Sequence, residues 1–324
     1  MLDIITIGAA TRDVFLVSKD FQIINSSQFA GGQAECVALG SKIDVDELVF
    51  STGGGATNAA VTFARLGLQT AVVARIGNDD PGHAVINDLS QAGVQTDLLR
   101  IVPKENTAYS TLLTAKNGER SVLIYRGASS TFSSSDIPWK KLQCQWLYIS
   151  SLGGNLELLQ KIVAQAKKQG IKVALNPGKS ELKLAVEMRE LLSSLTVLLV
   201  NLEEAQMLTE SDEKDPAKLA KQLAYPGLTV IVTNGTRGTH ANAEGQTWYA
   251  RTTGVKSISR TGAGDAFGSA TVAALAHGLT LDTALKVGTL NAEGVIQKFG
   301  AKAGIIKKWP SKADLQRVSV KLVK

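Results

Sequence analysis

Apolar residues occur at two different spacings in this chain, and the spacing changes near residue 145. In residues 14–50, short runs such as VFLV, FQII and VDELVF are interrupted by Ser, Gly and Asp. Short apolar runs between turn-forming residues are typical of β-strands with one buried face. Further strand-like runs occupy 96–101, 107–115 and 121–126, and the segment Lys116-Asn117-Gly118 between the last two predicts a hairpin turn.

The rest of the chain alternates apolar strands with helices. Residues 2–8 predict a buried strand that ends at Gly8, and the cluster Gly53-Gly54-Gly55 precedes a helix over 56–66. Further strands are predicted at 70–76, 146–150, 171–175, 196–200, 228–233 and within 238–251, and further helices near 81–92 and at 156–169, 180–193, 263–276 and 281–298. Wholly apolar strands between helices indicate a parallel sheet that is covered on both faces.

These patterns predict an α/β fold with a doubly wound, mostly parallel sheet flanked by helices and a small β-sheet lid. The main domain is predicted to comprise residues 1–11, 51–95 and 127–324. The lid is predicted to comprise 12–50 and 96–126, because these two excursions come from separate places in the chain and share a β character.

Composition narrows the classes of function. Lys and Arg number 35 and Asp and Glu 29, which gives a net charge of +6 and suits an anionic ligand such as a nucleotide. Only 5% of the residues are aromatic and no long basic run occurs, which argues against nucleic-acid binding. The two cysteines fit no metal or redox spacing, the N-terminus lacks a signal-peptide pattern, and no apolar stretch reaches a membrane-spanning length. We therefore expect a soluble, cytoplasmic protein.

The segment Thr261-Gly262-Ala263-Gly264-Asp265 has the strongest local pattern for chemistry. Glycines just before a helix let backbone amides converge on an anion, and the helix dipole adds positive potential. Asp265, in the first helical turn, lies where it could accept a proton from a hydroxyl that attacks a phosphoryl group. A tight turn with a favourable first-turn carboxylate is the structural alternative.

Three other segments follow predicted strands and have polar residues that could bind a ligand. The start of the first helix contains Gly54, Gly55 and Asn58, and Asp13 follows the first strand. Each of the two segments could bind hydroxyl groups of a substrate or could be a plain turn. Asn201 and Glu204 could share a hydrated Mg²⁺ or form a capping box. The turn with Thr233, Gly235, Arg237 and Gly238 could hold nucleotide phosphates or be an ordinary β-turn.

Several enzyme classes lack their patterns here. No G-x-x-x-x-G-K-[ST] segment occurs, and no G-x-G-x-x-G follows the first strand, which argues against P-loop enzymes and nicotinamide-dependent oxidoreductases. His83, His240 and His277 are isolated from one another and from acidic or cysteine-rich clusters, so a histidine metal site or a Ser-His-Asp triad has little support.

Taken together and in this order, the motifs resemble the ribokinase-like, or PfkB, family of carbohydrate kinases over essentially the whole chain. The resemblance implies ATP and Mg²⁺ as cofactors, Asp265 as catalytic base, and the amides of Gly262, Ala263 and Gly264 as an anion hole. It also implies that Glu204, with Asn201, organises Mg²⁺ through water. The remaining implied contacts are those of the nucleotide with Thr233, Gly235, Gly238 and Asn291, and those of the acceptor with Asp13, Gly54, Gly55 and Asn58.

The sequence departs from the family pattern at a few positions. Ser259 stands where members that use a monovalent cation often have Asp, which argues against a ribokinase-type potassium site, and Arg260 replaces a usual Thr. Thr11 and Gly55 replace a common Asn and a ribokinase Lys in the acceptor region. Arg126 could reach an acidic group of a substrate, but a structural salt bridge is the preferred interpretation.

The predicted function is ATP-dependent phosphorylation of a hydroxyl group of a sugar or sugar-like metabolite. A nucleoside kinase for adenosine, inosine or cytidine is the alternative within the family, and a non-catalytic sugar or nucleotide sensor is the alternative outside catalysis. The resemblance also suggests a homodimer that forms through the lid, with VDELVF at 45–50 in the contact. The sequence does not identify the acceptor.

Overall fold

The computed structural model describes residues 1–29, 31–115 and 119–323, so the predicted hairpin turn at Lys116-Asn117-Gly118 lies outside the described residues. The described strands, in chain order, are β1 (Leu2–Ile7), β2 (Thr11–Ser18), β3 (Gln22–Asn25), β4 (Gln33–Cys36), β5 (Glu47–Gly53), β6 (Thr70–Val73), β7 (Arg75–Gly77), β8 (Arg100–Val102), β9 (Ala108–Ala115), β10 (Arg120–Tyr125), β11 (Cys144–Ile149), β12 (Lys172–Leu175), β13 (Val197–Asn201), β14 (Thr229–Thr233), β15 (Thr239–Ala243), β16 (Gln246–Ala250) and β17 (Val320–Val323). The α-helices are α1 (Gly55–Arg65), α2 (Asp80–Gln91), α3 (Leu156–Lys168), α4 (Lys179–Leu182), α5 (Ala185–Leu191), α6 (Leu202–Thr209), α7 (Pro216–Gln222), α8 (Ala263–Ala276), α9 (Leu281–Ile296) and α10 (Lys312–Gln316).

The large sheet has the order β17-β16-β15-β14-β13-β12-β11-β1-β6. Its strands from β14 to β6 pair in parallel, whereas β15, β16 and β17 continue it as an antiparallel meander. Successive side chains of β1 point to opposite faces: Ile5 and Ile7 pack with α3, and Ile4 packs with α1 and α8. The sheet is therefore buried between two helical layers, which confirms the predicted doubly wound, mostly parallel fold.

A second sheet has the order β10-β9-β2-β5 and draws its strands from the two predicted β excursions. Its central strand β2 pairs in parallel with β9 and antiparallel with β5, which places Asp13 between Ser51 and Ser110. Strand β5 leads through Gly54 directly into α1. The four-stranded sheet is thus joined to the main body at the carboxyl end of β1.

Three predicted elements differ in extent from the observed ones. The strand predicted at 96–101 covers only Arg100–Val102, and it pairs with β7 rather than with the four-stranded sheet, because Leu98 is buried in the main core and brings the chain back to β7. The helix predicted over 180–193 is divided into α4 and α5 at Leu184, which has the non-helical angles φ −105° and ψ 57°. The strand predicted at 70–76 is divided into β6 and β7.

Two further properties of the chain are the character of its helices and the state of its cysteines. Among the helices of residues 1–29, 31–115 and 119–323, none combines the length and the apolar character that crossing a membrane requires. Cys36 and Cys144 are both free thiols, and Cys144 is buried in the core.

Candidate active site

A cleft of about 220 Å³ opens where the carboxyl ends of the parallel strands meet the amino end of α8. Parallel strands present their carboxyl ends at one edge of a sheet, so residues that are distant in sequence converge there. The cleft is lined by Asn176, Leu199, Val200, Asn201, Glu204, Thr233, Arg260, Gly262, Ala263, Gly264, Asp265 and Phe267. Seven of the residues predicted from the sequence to form a site therefore share this cleft.

Helix α8 begins with an amide-rich turn that has no side-chain cap. Its N-cap residue Gly262 adopts φ 78°, and a Cβ at this position would lie 2.5 Å from the Cβ of Ala301. A side chain would be both strained and crowded there, which explains the glycine. The first amides of a helix have no carbonyl partners within the helix, and with the dipole they attract an anion.

Asp265 lies on the first turn of α8 and contacts α1 through Asn58. The side-chain Nδ2 of Asn58 donates a hydrogen bond to Oδ2 of Asp265 at 2.8 Å. Burial raises the pKa of Asp265, the hydrogen bond from Asn58 opposes this rise, and the charge of Asp13 adds to it. The oxygen of the Asn58 amide, Oδ1, is buried and has no hydrogen-bond partner among the described residues.

Asp13 and the glycine cluster do not line the cleft; they lie where the four-stranded sheet meets α1. The Asp13 side chain is buried, accepts a 2.9 Å hydrogen bond from the Thr11 hydroxyl, and has a pKa raised mainly by burial. A Cβ at Gly53 would overlap the Asp13 carboxylate. A Cβ at Gly55 would lie 2.7 Å from Ser150 Cβ and 3.7 Å from Asp265 Oδ1. Gly53 therefore leaves room for the Asp13 carboxylate, and Gly55 leaves room for the Ser150 side chain.

Gly54 has a different reason for being glycine. It adopts φ 98°, and a Cβ would overlap the carbonyl of Ala9 in the segment that follows β1. The residue therefore sets the path by which β5 enters α1.

Asn201 and Glu204 form a capping box at the start of α6. Oδ1 of Asn201 accepts the amide of Glu204 at 2.9 Å, and Oε2 of Glu204 accepts the amide of Asn201 at 2.8 Å. The capping interpretation is thus confirmed, and it leaves Oε1 of Glu204 free to act in the cleft. Burial raises the pKa of Glu204, while the Asn201 amide opposes the rise. The described residues contain no group of three or more His, Cys, Asp or Glu side chains that could hold a metal ion.

The turn between β14 and β15 is a tight hairpin. The amide of Asn234 donates to the carbonyl of Gly238 at 2.8 Å, and Gly235 and Gly238 have φ values of 53° and 90°. The β-turn interpretation therefore accounts for both glycines. Thr233 lines the cleft, whereas Gly235 lies exposed beside it.

Asn291 and Arg126 have surroundings that the sequence did not predict. The Asn291 side chain is buried; its Nδ2 donates to the Ala266 carbonyl at 2.8 Å and its Oδ1 accepts the Ile306 amide at 3.0 Å. Because α9 packs this residue against α8, Asn291 holds protein elements together, and its contact with adenine stays a prediction. Arg126 is exposed, and it forms none of the ion pairs found in the described part of the chain, so the preferred salt bridge is not found there.

Two residues near the site were not assigned a role from the sequence. Arg260 lines the cleft beside the amino end of α8. Lys302 is buried in the segment after α9 and bonds to Thr52 and Asp88. Only one feature of the sequence indicates that this lysine is not a surface residue: it is the one charged residue within Gly300-Ala301-Lys302-Ala303-Gly304.

Comparisons with known proteins identify relatives that match most of the chain. A family model described as pfkB family carbohydrate kinase matches residues 1–308, a range that includes the glycine cluster and the start of α8. The ribokinase of Haemophilus influenzae is 31% identical over 262 residues, which cover 78% of this chain and 83% of that protein.

Solved structures have the same fold. The ribokinase of Cryptococcus neoformans, solved in complex with ADP, superposes with a TM-score of 0.75 at 23% identity and covers 98% of this chain and 99% of its own. The nucleoside kinase of Burkholderia thailandensis, solved in complex with inosine, superposes with a TM-score of 0.74 at 17% identity, covering 96% of each chain. At these identities the likeness establishes the fold alone.

Proposed function

The chain belongs to the pfkB family of carbohydrate kinases, and from this premise we propose that it transfers the γ-phosphoryl group of ATP to a hydroxyl of a sugar or sugar-like metabolite. The observation that carries the proposal is the meeting of a half-buried carboxylate, Asp265, with the open amide end of α8 in one cleft. A base and an anion site side by side are what in-line phosphoryl transfer to an alcohol requires.

In the proposed reaction, Asp265 accepts the proton of the acceptor hydroxyl as the oxygen attacks the γ-phosphorus. Asn58 holds Oδ2 of the carboxylate, which leaves Oδ1 for the substrate. The amides of Gly262, Ala263 and Gly264 face the transferring group and stabilise its charge. Asp13, Gly54 and the unpaired Oδ1 of Asn58 border the acceptor site and are proposed to bind its other hydroxyls.

Glu204 and Thr233 are proposed to face the nucleotide phosphates. When bound, Mg²⁺ neutralises charge on the phosphates, and the free Oε1 of Glu204 would hold it through water. Gly235 and Gly238 keep the β14–β15 turn tight beside the phosphates. Ser259 is buried and its hydroxyl accepts the Thr261 amide at 3.3 Å, so this position offers no carboxylate to a monovalent cation. We therefore propose no potassium site of the ribokinase type.

The four-stranded sheet is proposed to act as a lid over the acceptor. Asp13, Ser51 and Ser110 are register neighbours across three of its four strands and line one face. Closure of this face over the substrate would exclude water and limit ATP hydrolysis. The lid strands also expose Leu48, Phe50, Leu123 and Ile124, each more than half exposed, which supports a second copy of the chain as the partner of this sheet.

A nucleoside acceptor is a second candidate, favoured by an aromatic pair beside Asp13. Phe15 follows Asp13 on the same face of β2, and its ring centroid lies 5.9 Å from that of Phe299. Phe299 is only partly covered, so its ring could stack on a planar base. The inosine that the Burkholderia kinase binds is consistent with this candidate.

An assay of ADP formation with a panel of pentoses, hexoses and nucleosides tests the proposed function. We expect acceptor-dependent ADP formation in the presence of Mg²⁺, with the phosphorylated product identified by mass spectrometry. Nucleotide or sugar binding without turnover on the panel would contradict catalysis and support a sensor. ADP formation that does not depend on any acceptor would contradict the proposed transfer.

Replacing Arg260 with alanine is expected to raise the KM for ATP roughly tenfold, because a charge-assisted hydrogen bond to phosphate contributes about 1.5 kcal/mol. Arg260 is the only cationic side chain among the described residues that line the cleft. The measurement is steady-state kinetics with ATP as the varied substrate. Arg317→Ala is the matched control, since it removes the same charge from an exposed position after α10. Equal KM values for the two variants would show that Arg260 does not contact the nucleotide.

A further inference from the structure

Lys302 is a buried cation that the proposed reaction does not use. Only 4% of this residue is exposed, and its Nζ donates to Thr52 Oγ1 at 2.8 Å and to Asp88 Oδ2 at 2.9 Å. These partners belong to β5 and α2, so the ammonium joins three separate parts of the chain. A fully buried lysine is unusual, because the charge loses its hydration and needs partners to replace it.

The segment that contains Lys302 supports the amino end of α8. Nη1 of Arg65 donates to the carbonyls of Lys302 and Ile305, both at 3.1 Å. Ala301, the preceding residue, lies so close to Gly262 that a Cβ there would be 2.5 Å from its own. The position of the ammonium therefore fixes the backbone on which the proposed anion hole rests.

The hydrogen bonds of Lys302 bring its charge close to the Asp13 carboxylate. Its partner Thr52 precedes Gly53, where a Cβ would overlap that carboxylate. The positive charge of Lys302 lowers the pKa values of both Asp13 and Asp265, against the larger effect of burial. The other charged groups near Lys302 are Asp88 on α2 and Arg65 on α1; Asp88 raises the pKa of Lys302, while burial and Arg65 lower it.

We propose that Lys302 is a positioning residue for phosphoryl transfer: it fixes the segment beneath Gly262 to β5 and α2, and it supplies a positive charge near the carboxylates of Asp13 and Asp265. This inference rests on the proposed role of Asp265 as the base. A base must be ionised to accept a proton, and two neighbouring carboxylates resist ionising together unless a cation lies beside them.

A simpler role would be that Lys302 only neutralises Asp88. The double variant Asp88→Asn/Lys302→Met separates the two roles, because it removes both members of the ion pair together. Lys302→Met alone leaves Asp88 with the Thr52 hydroxyl but without its cationic partner and should lower the melting temperature, whereas the double variant should regain much of that loss. Asp88→Asn alone keeps the ammonium and serves as the control.

The expected result concerns the acid limb of the pH dependence of kcat/KM, which reports the ionisation of the base in the free enzyme. Removal of the Lys302 charge should raise the pKa of Asp265, so the limb should move to higher pH by roughly one unit in both Lys302→Met and the double variant. At pH values on the acid limb we also expect kcat/KM to fall roughly tenfold in both variants, since fewer molecules of the free enzyme carry an ionised base there. In Asp88→Asn the limb should not move to higher pH.

Titration of ¹³C-carboxyl aspartate by NMR provides a readout that does not require turnover. The Asp265 resonance is assigned by its loss in Asp265→Asn, and that of Asp13 by its loss in Asp13→Asn. Higher pKa values for these residues in the double variant would support the inference. Wild-type pKa values and a wild-type acid limb in the double variant would overturn it. Failure of the proposed function would be seen separately, as a wild-type protein that phosphorylates no acceptor of the panel.

Discussion

Replacing Asp265 with asparagine is expected to lower kcat by roughly 10²–10⁴-fold and to leave nucleotide affinity within about twofold, because the change removes the proton acceptor but keeps the shape of the cleft. The asparagine oxygen can still accept the 2.8 Å hydrogen bond that Asn58 donates. Steady-state kinetics with the best acceptor of the panel and calorimetric titration with ADP measure the two quantities.

The stability of the same variant distinguishes a catalytic carboxylate from a helix-stabilising one. Burial raises the pKa of Asp265 above that of the unfolded chain, so the ionised group destabilises the fold increasingly as pH rises through the interval between the two pKa values. Asp265→Asn should therefore melt at the same or a higher temperature than the wild type at pH 7. A first-turn carboxylate that serves the helix dipole would give the opposite sign.

Asp282→Asn is the matched control for this experiment. Asp282 is also a first-turn aspartate, on α9, where it accepts from the Thr280 hydroxyl at 2.6 Å and pairs with Lys286. Its pKa is lowered, mainly by the Thr280 hydrogen bond, so its replacement should cost stability but not activity. Comparable turnover of Asp265→Asn and Asp282→Asn would refute the role of Asp265 as base.

The helices and strands could be predicted from the sequence wherever the local pattern of apolar residues matches the burial of those residues in the folded chain. Strand β13 reads VLLVN and is buried over its first four residues, and α8 has the predicted bounds 263–276, since its start is set by glycine and its small residues pack on every side. The pattern failed where a distant contact decides the local conformation. Leu98 is an example: its burial in the main core leaves only a short strand at Arg100–Val102.

The candidate site could be predicted for residues whose role is set by backbone geometry, and not for residues whose role is set by partners. A glycine just before a helix, such as Gly262, already indicates in the sequence that the backbone has a positive φ and that another group approaches it closely. The hydrogen-bond partners of Asn291 could not be predicted in this way, because Ala266 and Ile306 belong to other parts of the chain. Lys302 is the extreme case: Thr52 and Asp88 lie 250 and 214 residues away along the chain, and only the folded structure brings them to its ammonium.

The second large effect is expected for Gly262→Ala, which should lower kcat by roughly 10²–10³-fold, the loss typical of a displaced oxyanion-hole donor. The new methyl group would meet Ala301 Cβ at 2.5 Å, so the first turn of α8 must move away from the transferring phosphoryl group. The left-handed φ of 78° adds about 1 kcal/mol of strain.

Gly278→Ala isolates that strain, because Gly278 has φ 74° and a methyl group added there would meet no neighbouring atom within 4 Å. Both variants should lose a similar increment of stability from the backbone, measured by thermal unfolding. Only Gly262→Ala should lose turnover, since only its methyl group pushes the amides out of place. If the two variants retained the same kcat, the amides of Gly262, Ala263 and Gly264 would not form the anion hole, and charge stabilisation would have to come from side chains such as Arg260 instead.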